Sequence, residues 1–564
     1  MRESSRVFVN TATNWGTTCI KGLVGFLLVP FLLTRLGKEG YGLASLSQVV
    51  VSFTMLADLG IRGALSRQLS EYAVRKDTRK FNECCSSGFA FYLAAGLVAM
   101  MACIILAPWL VKLFKVSPEL ESQGIFLVRY YGGVSAFLAF VTPVYAAVLS
   151  SKNRFDLVNM RDSVISISQG LLMFAVLGMT SWGLYGWAVV QLAGQSLSLA
   201  LLWQAARKIM PEMHIRPQHM RLGMVRELMA FGGVLFAMQT ANMIGLQANP
   251  LILGAMLGPI AVAIYNPGAS LVSMARPLIS ALSNQLNPLA TEYHVNGQQQ
   301  QMQQLLLRGT RYTILMCIPV CVTLMAFCEP ISRIWLQASL GESYLPAAYI
   351  LFSWALLDLL TYSAGTQWAV ATGTRRLKFY AWIMVPPSIV AVVLSTVLVK
   401  YTALGVMGVM IPMILVKVFQ RPLCMAYACR LCGLSLKRYV KESYVRPAWV
   451  LLGVGTAAGA LLWLGFGANL VLLIAAAGIV AVFSALLTWI VGFTREDRMS
   501  FKGLLSRAIE QVRKRPEVSA PHQSAQQPLA VQPKDDTLRM ESHAGQVVAK
   551  EMPLTPDADE RGPA

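Results

Sequence analysis

The sequence predicts an all-α polytopic membrane protein of about 14 transmembrane helices, built as two six-helix lobes in a parallel repeat plus two extra helices. Three observations predict it: an apolar composition, Lys and Arg confined to alternate connections, and a self-similarity about 220 residues apart. Of the 564 residues, 55% are hydrophobic and 13% charged, with a mean hydropathy of +0.54. Soluble domains carry about 25% charged residues, so lipid is the solvent here. A soluble enzyme, a DNA-binding protein and a disordered scaffold are excluded as descriptions of the whole chain. The net charge of +20 lies between the apolar runs, which is what membrane topology requires, and no nucleic-acid partner is expected.

A helix crossing about 30 Å of hydrocarbon needs roughly 20 apolar residues. On that basis the spans fall at 11–34, 43–62, 85–111, 125–150, 162–180 and 183–203. A second set falls at 231–257, 260–290, 309–328, 346–370, 379–400 and 403–425, and two more follow at 447–466 and 468–493. The first run is too long for a signal-peptide core and lacks a clean cleavage site. Counting from an inner N-terminus, the inner segments hold clusters such as Arg75, Lys76, Arg79 and Lys80, or Lys437, Arg438 and Lys441. The outer segments hold only Arg35, Lys38, Lys112, Lys115, Arg333 and Lys400. That bias places both termini on the cytoplasmic side. The organisation read from this is a first lobe at 1–215, a second at 216–440, two additional helices at 441–493 and a cytoplasmic tail at 494–564. In the tail, 501–515 puts Phe501, Leu504, Leu505, Ala508 and Val512 on one face with basic residues opposite, which suits either an inner-leaflet surface helix or a solvated basic run. Beyond Pro516 the composition predicts disorder.

The self-similarity is specific in its order. Gly25 to Pro30 is echoed by Gly245 to Pro250; each continues to a Leu-Gly pair (Leu36-Gly37, Leu257-Gly258) and then a tyrosine (Tyr41, Tyr265). Further on, Ala64-Leu65-Ser66 and Gln68-Leu69 match Ala281-Leu282-Ser283 and Gln285-Leu286. That separation contains six spans, an even number, so both copies enter the membrane in the same direction. Such parallel repeats surround a midplane cavity in alternating-access transporters. Span eight carries Pro267, Pro277 and Pro288, and spans one and seven carry Pro30 and Pro250. Prolines of this kind mark kinks that neighbouring helices or a wet cavity must satisfy.

Asn10-Thr11, Asn14-Trp15, Pro30, the run from Leu36 to Gly42 and the run from Asp58 to Ile61 resemble polysaccharide-transporter (Wzx-like) flippases. These belong to the superfamily that also holds multidrug and toxic-compound (MATE-like) extruders and lipid II flippases. The resemblance covers roughly the first 90 residues clearly and 220–300 more faintly. It implies a V-shaped fold that moves an undecaprenyl-pyrophosphate-linked oligosaccharide repeat unit across the bacterial inner membrane for exopolysaccharide or O-antigen biosynthesis. Membrane lipids, and polysaccharide polymerase or export machinery, are the implied partners.

Ionisable residues inside spans each cost about 2.5–3.5 kcal/mol at mid-bilayer unless paired or wet. Lys21, Asp58, Arg129, Arg276, Asp358 and Lys417 are such residues here. Lys21 and Arg276 are the deepest cations, suited to a pyrophosphate headgroup, with Asn14, Asn242, Gln247 and Asn249 available for sugar hydroxyls. Interhelical hydrogen bonding explains these amides equally well. Asp58 with Arg62 reads first as an i,i+4 pair, and as a gating element second. Arg129 and Lys417 either snorkel or couple, and Asp358 either pairs with a distant cation or carries a coupling proton. No P-loop, histidine cluster or four-ligand cysteine site occurs, so no catalytic residue, metal or cofactor is expected. The alternatives are a MATE-type drug or small-solute antiporter, which deep acids would favour, and a membrane polymerase or glycosyltransferase, which a large outer segment would favour. The deep charges lean cationic instead, and the outer segments are short.

Overall fold

The computed structural model describes residues 3–58, 60–374 and 376–499, and among them there are helices and turns but no strand. The all-α membrane fold is therefore borne out. The first half comprises α1 (Glu3–Thr54), α2 (Ile61–Arg75), α3 (Thr78–Leu113), α4 (Pro118–Phe126), α5 (Gly133–Ser151), α6 (Phe155–Met179) and α7 (Gly183–Ile209). The second comprises α8 (Leu222–Leu257), α9 (Pro259–Val295), α10 (Gln299–Ala326), α11 (Cys328–Leu340), α12 (Tyr344–Thr361), α13 (Ala364–Gly373), α14 (Leu377–Tyr401) and α15 (Met410–Cys432). The short α16 (Leu436–Ser443) leads to α17 (Val445–Trp463) and α18 (Leu470–Leu487).

Among the described residues, 11 stretches are long and apolar enough to cross a membrane. The first, Gly16–Asp58, contains two of the expected spans, joined without a loop at a kink on Gly37. The seventh and eighth expected spans lie in α8 and α9, which are outside those 11. One boundary matters for the site: α6 begins at Phe155, seven residues before the predicted start at 162. The tail residues 501–515 lie outside the described residues.

The same backbone conformations recur 221 or 222 positions apart. Gly37 (φ 71°, ψ 170°) corresponds to Gly258 (φ 87°, ψ 179°), a left-handed geometry that a side chain would strain. Lys76 and Gly297 both have positive φ where one helix ends and the next begins. Thr180 (φ −124°, ψ 159°) corresponds to Thr402 (φ −125°, ψ 158°), and Gly183 and Gly405 follow at φ 52° and 54°. Each threonine hydroxyl donates to the carbonyl four residues back (Val176 at 2.6 Å, Leu398 at 2.5 Å). Each also accepts an amide from two residues on (Trp182 and Leu404, both 3.4 Å). Two copies of one backbone design thus sit in one chain.

The halves pack through α1 and α9. A Cβ on Gly42 would lie 1.9 Å from the Pro259 carbonyl oxygen, and one on Gly254 would lie 2.6 Å from the Leu46 side chain. Lys115 Nζ donates to the Met256 carbonyl at 2.8 Å, and Trp335 stacks on Phe26 while its indole donates to the Phe26 carbonyl at 2.8 Å. After α18, Asp497 is buried against α10. Arg311 reaches it at 2.6 Å and the Tyr312 hydroxyl at 2.5 Å.

Candidate functional site

Three of the six charges predicted to lie deep in the membrane, Lys21, Arg276 and Asp358, are found at two places. In the first half, Lys21 Nζ on α1 lies 2.5 Å from Asp162 Oδ2 on α6, and Arg161 approaches the other Asp162 oxygen at 2.8 Å. One carboxylate therefore holds two cations, leaving a net positive cluster. Beside it, Thr17 donates to the Asn159 carbonyl at 2.9 Å and lies 2.8 Å from the Ser163 hydroxyl. This joins α1 to α6 through small hydroxyls at the helix contact. Arg161 Nη1 also reaches the Ser198 hydroxyl on α7 at 2.5 Å. A cavity of about 800 Å³ opens there, walled by α1, α2, α5, α6 and α7, with Arg62 and Arg161 as its charged lining.

In the second half, Arg276 on α9 forms a bidentate pair with Asp358 on α12, at 2.9 and 3.1 Å, and its guanidinium lies 4.7 Å from the Trp354 ring centroid. The Trp354 indole donates to the Tyr265 hydroxyl at 3.2 Å, and Asn249 donates to the same hydroxyl at 3.1 Å. A bidentate fork beneath an aromatic face is strong and directional. It links three predicted residues, Arg276, Asp358 and Asn249, through Trp354 and Tyr265.

Other predicted residues stand apart. Asp58 does not pair with Arg62. It ends a 3-10 turn, Met55–Asp58, and Gly60 is left-handed before α2 begins, so the helical i,i+4 spacing is broken. Asp58 instead accepts the Tyr92 hydroxyl at 2.5 Å, and Arg62 faces the cavity. Lys21 is not a free cation, as its pairing shows, and its partner is neither Asp58 nor Asp358. Arg129 lies in a π-helical turn, Leu127–Gly132, with its Nε buried and unbonded. Lys417 donates to Gln420 at 2.8 Å, and Gln420 donates to the Ile383 carbonyl at 2.8 Å. Asn14 is exposed on α1, and the Asn242 side chain lies outside the described residues.

Sequence reasoning missed Arg161, Asp162 and Arg421. Arg161 lies just before the span expected from 162 and Asp162 is its first residue, whereas α6 begins at Phe155 and carries both in its second turn. Arg421, inside the span expected at 403–425 but not singled out there, is buried on α15 and bonded to the Ser363 hydroxyl. The arrangement offers cations, hydroxyls and amides inside a membrane bundle. Such groups can pair with anionic oxygens and hydrogen-bond hydroxyls.

Residues 8–294, just over half the chain, match the family described as polysaccharide biosynthesis protein. The uncharacterized membrane protein EpsK of Bacillus subtilis (strain 168) is 23% identical over 367 residues, covering 62% of this chain and 70% of that protein. A putative O-antigen transporter of Shigella flexneri is 20% identical over 349 residues, covering 60% and 78%. Among solved structures, the lipid II flippase MurJ in an inward closed conformation superposes with a TM-score of 0.65 at 14% identity, covering 85% of this chain and 98% of that one. An inward-facing multidrug resistance MATE family transporter of the MOP superfamily superposes at 0.63 and 13%, covering 76% and 99%. The resemblance carried by the opening residues is borne out, and the chain belongs to the polysaccharide biosynthesis protein family, with the transporter fold of the MOP superfamily.

Proposed function

We propose that the protein is a flippase that moves a lipid-linked, undecaprenyl-pyrophosphate-type oligosaccharide across the bacterial inner membrane by alternating access, with both termini cytoplasmic. Residues 1–215 and 216–440 act as its two lobes, and 441–493 is an addition to them. The observation that carries this reading is the Lys21–Asp162–Arg161 cluster, in which two cations share one carboxylate beside a cavity whose charged lining is Arg62 and Arg161. Such a cluster can exchange its carboxylate for a phosphate group without stranding a bare charge, because a cation is always left with a partner. Arg276 with Asp358 is a second charged pair within the bundle, on the other lobe. The names of MurJ and of the Shigella protein agree in chemistry with a lipid-linked sugar substrate.

A cation-extruding antiporter would use an acid open to its cargo. Asp58, Asp162 and Asp358 each already hold a hydroxyl or a cation. The test is reconstitution of the full chain into vesicles bearing a fluorescent undecaprenyl-pyrophosphate disaccharide in both leaflets. The protein should let an impermeant quencher reach the inner-leaflet pool, and Arg161→Gln should slow this about tenfold, the worth of one charge-assisted bond. Drug-driven proton movement without lipid movement would favour the antiporter instead.

A further inference from the structure

We infer that the cavity inside the first half is a compartment for an acidic sugar: one saccharide unit bearing a carboxylate or phosphate group. This rests on the transport reading above and names the part of the cargo that the first half receives. The cavity volume of about 800 Å³ lies within the range of small-molecule sites and far exceeds what a bare anion fills. Its charged lining is Arg62 and Arg161, and no Asp or Glu lines it. Asp162 is turned to Lys21 and to the edge of Arg161, so the positive field inside is not cancelled.

Three polar atoms of the lining, Ser135 Oγ, Arg161 Nε and Gln195 Oε1, are buried with no hydrogen-bond partner. A donor on a cation and an amide acceptor, both waiting, match an anionic oxygen and a hydroxyl on one ligand. Ser66, Thr142 and Ser198 add hydroxyls, while Met55, Leu138 and Ile165 provide apolar wall for the C–H face of a pyranose. No aromatic ring lines the space, so stacking cannot select the ligand and charge with hydrogen bonding must.

The corresponding positions of the second half carry different chemistry. At 222 residues on from Arg161, Gln195 and Ser198 stand Ile383, Lys417 and Gln420. There Lys417 donates to Gln420, and Gln420 donates to the Ile383 backbone carbonyl. The arginine of the first half is replaced by an apolar residue, and the lysine standing in place of Gln195 is held by a hydrogen bond.

The experiment uses the full chain in lipid nanodiscs with exposed Cys19 replaced by Ser and a reporter Ala139→Cys in the cavity wall. Maleimide labelling is timed with glucuronic acid, glucose or inorganic pyrophosphate at tens of millimolar. Glucuronic acid should slow labelling by roughly threefold or more by simple occupancy, with glucose and pyrophosphate doing much less. A Lys80→Cys reporter outside the cavity should be unaffected. Arg62→Gln, whose charge holds no carboxylate, should remove the protection at unchanged melting temperature, and Arg161→Gln should remove it as well. Equal protection by glucose, equal protection by pyrophosphate, no protection by any probe, or protection that survives both substitutions overturns the proposal. Protection without lipid movement in the vesicle assay would instead leave the compartment standing and remove the flippase reading.

Discussion

Lys21 and Asp162 form an ion pair at 2.5 Å across the α1–α6 contact, and Arg161 holds the remaining oxygen of the same carboxylate. The two substitutions at this pair should therefore be unequal. Lys21→Gln leaves Asp162 paired, and with Lys21 half exposed the cost should stay within about 1 kcal/mol. Asp162→Asn leaves two cations facing each other and should lower the melting temperature in detergent further. A larger loss for Lys21→Gln would contradict the shared-carboxylate arrangement.

Arg276 and Asp358 behave differently because their pair is more buried. Arg276→Gln strands a carboxylate inside the bundle, with an expected loss of about 3–5 kcal/mol and reduced abundance in membranes. The double substitution with Asp358→Asn should recover most of that abundance, and Arg276→Lys should recover little, since the fork and its contact with Trp354 are lost. Quantitative blotting of membrane fractions reads all three.

Gly42 and Gly254 provide a matched test of the contact between α1, α8 and α9. Gly42→Ala meets backbone, the Pro259 carbonyl, which cannot swing aside, whereas Gly254→Ala meets the flexible end of Leu46. The first should cost about 1–3 kcal/mol and the second clearly less. Thermal unfolding of the purified variants orders them.

Asp497 gives a pH dependence outside the bundle. Burial pushes its carboxyl up, but the Tyr312 hydroxyl, the Thr494 amide and hydroxyl and the Arg311 charge outweigh it, and the net shift is downward from 3.8. A lowered folded-state value means the stabilisation is complete above the unfolded value and is lost as pH falls through the folded one. Residues 493–499 should thus stay docked on α10 at pH 5 and release only well into the acid range. Asp497→Asn should remove that acid transition. Limited proteolysis with an acid-active protease across the range measures it.

Orientation is testable with impermeant thiol reagents in a background lacking Cys19. Glu342→Cys should label from outside intact cells and Lys80→Cys should not, both positions being exposed. The reverse pattern would invert the proposed topology.

The fold class was legible because lipid imposes it: a chain this apolar, with Lys and Arg in alternate connections, has few other structures available. The repeat was legible at Leu36-Gly37 and Leu257-Gly258 because a left-handed bend constrains the residue itself. It was missed at Thr180 and Thr402, where only a threonine and two glycines, three and six residues later, are shared. The charged residues were legible as a set, since each is costly in a span, but their partners were not. Lys21 finds Asp162 across 141 positions and Arg276 finds Asp358 across 82, and only packing decides such meetings. Arg161 and Asp162 were hidden by a boundary error of seven residues, because α6 carries polar residues through its first two turns.

The bends at Gly37 and Gly258 have a consequence for how this chain can change over generations. Each is a single residue between two long helices, with nothing beside it to absorb slack. An α-helix turns about 100° per residue, so one codon gained or lost there would rotate the whole following helix by more than a quarter turn. Its buried stripe would then point into lipid, and the contact at Pro259 would be broken. Spelling can drift on either side of these two glycines, but length cannot. The stretch from Thr180 to Gly183, and its counterpart from Thr402 to Gly405, is a short connection with one extended threonine and a positive-φ glycine, which can take up such a change. Insertions inherited by descendants of this chain should therefore gather there and spare the two one-residue bends.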